Sequence, residues 1–568
     1  MVVSPHRPSH EEARGAVPAV DLLFTGGAVF TGVGAPLSGH SVGVIGDRIA
    51  AVVPDSEAGG ITDEHTRIVH LDGALLSPGF QDAHVHPVGA GVEMLLCNLT
   101  GAEDADRAVA TVAAYAEANP AEPWILGGGW SMDHFAGGAP TRALLDAVAP
   151  DRPVLLSSRD HHSAWANTAA IVAAGLDAST ADPSDGRIER EPDGYPAGTF
   201  HEGAERLFDV ARPGIGAELA YAGLLRAQDE LLALGITGWQ DAMIGSLSGV
   251  EDIDAAYRRA LAEDTLRVHV VGAQWWERDG GIEQVAEMVE RRDALAATGA
   301  SARYELGTTK IMVDGVAENQ TAAMLTPYRD GHGHDTENSG LSFIDPEFLK
   351  QVVTQLDAAG MQVHFHALGD RAVREALDAV DAAREANGAT DGRHHLAHLQ
   401  VVEEVETARF AELGAVANIQ ALWATHEDQI DDLTLPFLRD GAEERHYPFG
   451  DLVRHGVRLA AGSDWPVSSA DPMDAIHIAV NRIVPGEDYE PLGGAGQRLD
   501  LATAMAAYTS GTAFVNHRDH DTGSIRPGYL ANLVVLDPDP FGLPPEEIHL
   551  STVTSTWIEG APAYSRTA

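Results

Sequence analysis

Apolar positions fall along this chain in two textures. Residues 20–73 carry short β-like runs, Val20–Phe24, Ala28–Phe30, Ser41–Ile45, Arg48–Val52 and Arg67–Leu71, with Gly26-Gly27 and Gly46-Asp47 as turn signals between them. The C-terminal stretch repeats that texture in Ala531–Asp537 and Val553–Gly560, after a Gly523–Gly528 turn. Two β-rich ends around a long middle predict one accessory sheet built from both termini. The middle, roughly 74–520, alternates apolar strands with amphipathic helical segments, the pattern of a parallel α/β architecture. Helices are expected over 104–118, 217–234, 251–263, 282–297, 346–359, 370–387, 402–413 and 500–513. Strands are expected at the opening run 74–76 and at 154–157, 236–240, 268–271, 307–313, 361–366, 395–398, 415–419 and 457–462. A (β/α)₈ barrel needs one strand fewer, so one of them belongs to an insertion that the pattern does not single out. Residues 124–215, rich in Gly, Pro and Asp, read as an enlarged loop region. The expected division is a disordered lead over 1–19, accessory β-structure over 20–75 and 521–568, and the barrel over 76–520. A doubly wound sheet is the second architecture, but no Gly-rich phosphate loop follows an early strand.

Composition narrows the function classes. The hydrophobic fraction of 44% is that of a globular protein, and no segment approaches the ~20 apolar residues of a membrane span. The polar, Pro-rich start lacks the apolar core of a secretory signal. A lone cysteine, Cys97, excludes an intrachain disulfide and a Cys-rich zinc site, so a reducing cytoplasm is the expected compartment. A formal charge of −48 repels nucleic acid and anionic lipid. That leaves a small molecule as the expected partner, with a homodimer as the ordinary assembly. The only lysines are Lys310 and Lys350; the acidity and the scarcity of lysine fit a composition biased towards Arg, Ala and Gly, with some adaptation to salt as the companion reading.

Candidate chemistry begins at His84 and His86. Residues two apart on a strand project the same way, so the pair can present two imidazoles to one divalent ion. With 26 histidines in the chain the spacing also arises by chance, as at His332/His334. In a barrel the reactive groups sit at the C-terminal ends of strands. Reading those ends adds Lys310, His366, His398 and Asp464 to the pair. Singly, each has a plainer reading: core histidines, a turn cap for Asp464, a buried ion-pair partner for Lys310. His364 shares a face with His366, which is preferred because it lies nearer the strand end. Lys310, kept inside an apolar strand where Arg would serve for charge, points to amine chemistry; once neutral, it could add CO₂ and bridge two metals as a carbamate.

In combination, six motifs resemble the amidohydrolase superfamily over about residues 20–565, and the N-substituted formamide deformylase branch in particular. They are Pro78-Gly79-Phe80-Gln81-Asp82-Ala83-His84-Val85-His86, Gly128-Gly129-Trp130, Arg159-Asp160-His161-His162-Ser163-Ala164-Trp165-Ala166-Asn167, Lys310-Ile311-Met312-Val313-Asp314-Gly315, His364-Phe365-His366-Ala367-Leu368-Gly369-Asp370 and Gly462-Ser463-Asp464-Trp465-Pro466-Val467. The resemblance implies a distorted (β/α)₈ TIM barrel with a small composite β-sandwich from both termini, and a centre of one or two Zn²⁺ or other divalent ions. By motif, His84, His86, His366 and His398 would be ligands, Lys310 a carboxylated bridge, and Asp464 a ligand and general base. Trp465 stands where the family often has Phe, and His161 where it often has Gly.

Zinc lowers the pKa of bound water towards about 7. The expected reaction is therefore hydrolysis of a C–N bond in a small amide or N-substituted formamide, Asp464 taking the water proton and passing it to the leaving nitrogen. Trp130, Arg159, His161, His162, Trp165 and Trp423 would shape the pocket, although each also suits packing in a lid. A deaminase of a heterocyclic amine on the same barrel is the second reading, with Glu403 or Glu404 as proton shuttle, though both read better as helix starters. Hydrolysis of another small amide or ester, and a metal-binding protein without turnover, complete the alternatives.

Overall fold

The stretch that carries His84 runs through two sheets, turning at one glycine. Leu75–Pro78 is a strand of the terminal β-structure, and after Gly79 the chain enters the barrel as Phe80–Val85. A Cβ at Gly79 would lie 2.3 Å from the Thr237 methyl, so only glycine lets the two strands meet there. The computed structural model describes residues 19–245, 252–299 and 303–566; the expected lead over 1–19 falls, but for its last residue, outside the described residues.

Eight parallel strands form a distorted TIM barrel. In chain order they are β1 (Phe80–Val85), β2 (Ile236–Ile244), β3 (His269–Trp275), β4 (Tyr304–Met312), β5 (Gln362–Ala367), β6 (His395–His398), β7 (Val416–Ile419) and β8 (Leu459–Ala461), each paired with the next. Between β8 and β1 the join passes through the site: Asp464 N–H donates to His84 O at 2.8 Å, and His86 N–H to Trp465 O at 2.9 Å. Gly462 permits this approach, since a Cβ there would sit 2.6 Å from His84 Cβ.

The outer helices follow from local chemistry. In Pro346–Ala358, Pro346 opens the first turn, Asp345 accepts from the Glu347 and Phe348 amides, and Leu349, Val352, Val353 and Leu356 bury one face. Asp370–Asn387 buries Val373, Ala376, Leu377 and Val380 in the same way and stops at Gly388, whose φ is 82°. Of the helix expected over 251–263, the described residues hold Asp254–Ala262.

Two of the expected strands lie outside the barrel: the opening run 74–76 belongs to the terminal β-structure, since the barrel begins only after Gly79, and the strand near 154 belongs to the insertion. Val154–Ser158 joins a six-stranded sheet ordered Gly186–Arg190, Pro196–Glu202, Ser163–Ala166, Val154–Ser158, Ile125–Trp130, Cys97–Asn98. This is a correction to the loop reading of 124–215: the segment between β1 and β2 is a sheet with its own core of Trp130, Trp165, Val154 and Leu156, and it begins near Cys97. Its Gly and Pro residues mark hairpins, which composition alone does not separate from irregular loop. The termini form a four-stranded sheet (Leu22–Thr25, His40–Ile45, Arg48–Pro54, Arg67–His70) and a five-stranded one (Ala28–Val29, Leu75–Pro78, Leu533–Asp537, Thr552–Ile558, Ala561–Ser565). A shared apolar layer including Phe24, Val42, Leu76, Leu533 and Trp557 lies between the two. Among the described residues no helix is long and apolar enough to cross a membrane.

Candidate metal centre and cleft

At the C-terminal mouth of the barrel the six predicted groups converge. Asp464 Oδ1 lies 3.2 Å from His84 Nε2 and 3.1 Å from His86 Nε2. Ligand atoms of these three residues all fall within 4.8 Å of one another, as a single cation requires. Lys310 Nζ is 3.2 Å from His84 Nε2, and His398 Nδ1 is 3.8 Å from Asp464 Oδ2. His366 completes the ring, its imidazole centroid 4.5 Å from that of His398 and its Nδ1 3.3 Å from Asp314 Oδ1. His398 and Asp464 hold left-handed backbones, with φ of 80° and 56°. Such strain in non-glycine residues persists where the surroundings over-determine it.

Beneath the centre, hydrogen bonds fix which histidine atoms face up. Gln362 Nε2 donates to the carbonyls of Arg393 (2.9 Å) and Val515 (2.8 Å), so its Oε1 faces Gln240 Nε2 at 3.2 Å. Gln240 Oε1 must then accept from both His364 Nδ1 (2.7 Å) and His395 Nε2 (2.9 Å). A neutral His364 that donates through Nδ1 accepts at Nε2, where His84 Nδ1 lies 3.0 Å away. His84 therefore donates downward and turns the Nε2 lone pair towards Asp464. His364 thus lies beneath His84, while His366 lines the open cleft. Neither Gln240 nor Asp82 was singled out from sequence. Asp82 takes Ser463 Oγ–H at 2.6 Å and the His84 and Ser463 amides, tying β1 to the Asp464 loop. A polar residue two before His84 on a buried strand is the signal that marks it.

Titration follows from burial. Burial, then the Lys310 charge, pushes His84 down to about 3, so the imidazole is neutral and its lone pair available. Burial also pushes Lys310 down to about 7, which leaves a substantial neutral amine fraction at neutral pH. Burial alone would raise Asp464, but His84, His86 and His398 hold it well below the carboxylate range. The donor set is what a divalent ion takes: imidazoles and a carboxylate, with His86 Nδ1, His366 Nδ1, both His398 nitrogens and Asp464 Oδ1 lacking a hydrogen-bond partner among the described residues.

The six-stranded sheet walls the centre. Asp160, His161 and His162 occupy the turn between Val154–Ser158 and Ser163–Ala166, with His161 at φ 60°. His162 Nδ1 lies 3.0 Å from Glu202 Oε1, and its ring centroid 5.6 Å from that of His366. Burial opposes charge on His162, but Glu202 raises it to about 9; Glu202, for which burial would act upward, is brought to about 2 chiefly by His162. Glu202 is another group that no motif marked. His161 Nε2 sits 3.3 Å from Glu93 Oε1, and Arg159 lines the cleft. Trp423 stacks on His398 at 5.4 Å with an 8° tilt. Trp130 has one edge on the cleft but is otherwise core, donating its indole N–H to Leu156 O. Trp165 is wholly core and belongs to the packing reading. Glu403 and Glu404 stand at the start of helix Glu404–Leu413, with Glu403 paired to Arg439 and Arg445, and neither lines the cleft.

Comparison with known proteins places this arrangement. The sequence profile of the amidohydrolase family matches residues 67–564, and the chain belongs to that family. It is 29% identical over 553 residues to Protein LONG AFTER FAR-RED 3 of Arabidopsis thaliana, covering 96% of this chain and 91% of that one. It is 27% identical over 546 residues to the N-substituted formamide deformylase of Arthrobacter pascens, covering 93% and 95%. Among solved structures, an uncharacterized metal-dependent hydrolase from Pyrococcus horikoshii superposes with a TM-score of 0.70 at 22% identity, over 92% of this chain and 99% of that chain.

Proposed function

We propose that this protein hydrolyses the C–N bond of a small, non-peptide amide, N-substituted formamides included, at a centre of one or two divalent ions, zinc being the expected metal. The observation that carries the reading is the convergence of His84, His86 and Asp464 within 4.8 Å at the floor of an open cleft. His84, His86, His366, His398 and Asp464 would hold the metal, and Lys310, as its carbamate, would bridge a second ion. When bound, the metal supplies Lewis acidity and lowers the pKa of a water it holds. Asp464 Oδ2, which faces His398 Nδ1 at 3.8 Å, is the oxygen placed to accept the water proton and return it to the leaving nitrogen. His162, held by Glu202, orients the substrate from the sheet side, and Trp423 packs behind His398. Arg159 and His161 line the entrance, and Trp130 closes one edge.

The test is a panel of N-substituted amides and formamides offered to zinc-loaded enzyme. Hydrolysis that disappears on chelation, returns with zinc and is lost in Asp464→Asn supports the reading. Ammonia release from heterocyclic amines, with every amide untouched, would replace it with the deaminase alternative. Metal counts with and without bicarbonate test Lys310: two ions per chain falling to one in Lys310→Met supports the bridge.

A further inference from the structure

The cleft has two chambers that meet at the candidate centre. One, of about 310 Å³, sets apolar walls, among them Met132, Leu422 and Trp423, beside the charged groups Arg159, Glu318 and Glu427. The other, of about 420 Å³, reaches Arg206, Arg212 and Arg278 on the far side of His162. Asp160, His162, His366, His398 and Asp464 line both. A molecule whose reacting bond sits at those shared residues therefore extends one arm into each chamber.

Charge pairing in the second chamber is incomplete. Arg212 has its own acid, Asp209, at 2.5 Å. Glu202 is engaged by His162 and, at 2.9 Å, by the Thr321 hydroxyl. Asp185 is the acid against both Arg206 and Arg278, but Arg206 contacts it closely while Arg278 stands 3.6 Å away, beyond hydrogen-bond reach. Arg278 otherwise lies flat over Phe343, 3.5 Å from the ring centroid, with one nitrogen 3.0 Å from Met312 Sδ. Its side chain is only 15% exposed. Arg278 thus borders the cleft under the charges of Glu202 and Asp185 but without a hydrogen bond to either.

We propose that Arg278 binds a carboxylate, and that the substrate is an amide with an apolar group on one side of the scissile bond and a carboxylate on the other. This rests on the hydrolase reading above and adds its substrate class. A planar guanidinium held flat by an aromatic ring matches a carboxylate's two oxygens. Glu202, Glu205, Asp209 and Glu277 line the same chamber, so it favours a single carboxylate seated on Arg278 over a phosphate dianion. On the other side, stacking and apolar walls suit an aryl or alkyl group.

Calorimetric binding of 4-phenylbutyrate and the neutral 4-phenylbutan-1-ol, neither of which has an amide bond to hydrolyse, to the purified, metal-loaded protein tests this without turnover. The wild type is expected to favour the carboxylate by about tenfold or more. Arg278→Met should erase that preference while leaving the alcohol's affinity within about twofold, and Arg278→Lys should keep part of it. Asp185→Asn removes the competing acid and should tighten carboxylate binding by about threefold, a gain that misfolding cannot mimic. Equal binding of the two probes, no binding of either, or a preference that survives in Arg278→Met overturns the proposal; the last result would put the carboxylate on the metal instead. Failure of the amide panel would instead strike the hydrolase reading and leave this binding preference in place.

Discussion

The floor and the mouth of the barrel treat polar groups in opposite ways. On the floor, Gln362, Gln240, His364, His395 and Asn418 satisfy one another in a closed set whose directions trace back to backbone carbonyls. At the mouth, His366 Nδ1, both His398 nitrogens, Asp464 Oδ1, Asp160 Oδ2 and Glu205 Oε1 are buried without a hydrogen-bond partner among the described residues. Buried polar atoms left unpaired cost about 1–3 kcal/mol each, so the mouth is unstable in exchange for readiness to bind. Rigidity is concentrated where the lone pairs are aimed, and vacancy of partners where they are used.

Breaking the mouth at Asp464 should have the largest effect. Asp464→Asn is expected to lower kcat by about 10³-fold in a protein that still folds, read from turnover and a cooperative melting transition. Loss of the fold in that variant would contradict the contrast.

The paired exception in the mouth comes next. Glu202→Gln strands the His162 charge and should cost about 3 kcal/mol. Glu202 is depressed to about 2, so its contribution is present above 4.5 and is lost as pH falls towards 2. His162 is raised to about 9, so its contribution is complete below 6.5 and is lost as pH rises through 9. The stability gap between wild type and variant should therefore be widest between pH 4.5 and 6.5; denaturant titrations showing a gap that widens towards pH 9 would sink the pairing.

The floor is tested by Gln240→Leu. It leaves His364 and His395 donors unpaired, and about 2 kcal/mol of stability should go. With His84 no longer held in one tautomer, zinc affinity should fall about 10- to 100-fold, measured by competition with a chromophoric chelator. Unchanged affinity would make the network a packing feature alone. The smallest effect belongs to His332→Ala: this exposed loop residue, whose amide caps Asp330 at 2.9 Å, lies away from the cleft, and activity should not move.

Much of this was legible because strands announce themselves twice, by apolar runs and by the chemistry at their ends. Lys310, His366, His398 and Asp464 stand where a barrel gathers side chains. The floor was harder to see, since Gln240 and Gln362 are ordinary polar residues in apolar strands and their roles depend on pairings across 122 positions. The wall was hidden for another reason. Gly- and Pro-rich hairpins have the composition of loops, so the sheet that carries His162 and Glu202 read as irregular chain. Arg278 was invisible because its meaning lies in Asp185 being shared, a property of three side chains distant in sequence.

That wall has an evolutionary side. The groups that would hold metal and move protons come from the barrel strands and their ends, whereas one whole wall of the cleft, with Arg159, His161 and His162, comes from a sheet inserted between the first strand and the second. A lineage can recut that sheet, lengthening a hairpin or exchanging Arg206 or His161, and acquire a new diet while its reaction stays as it was.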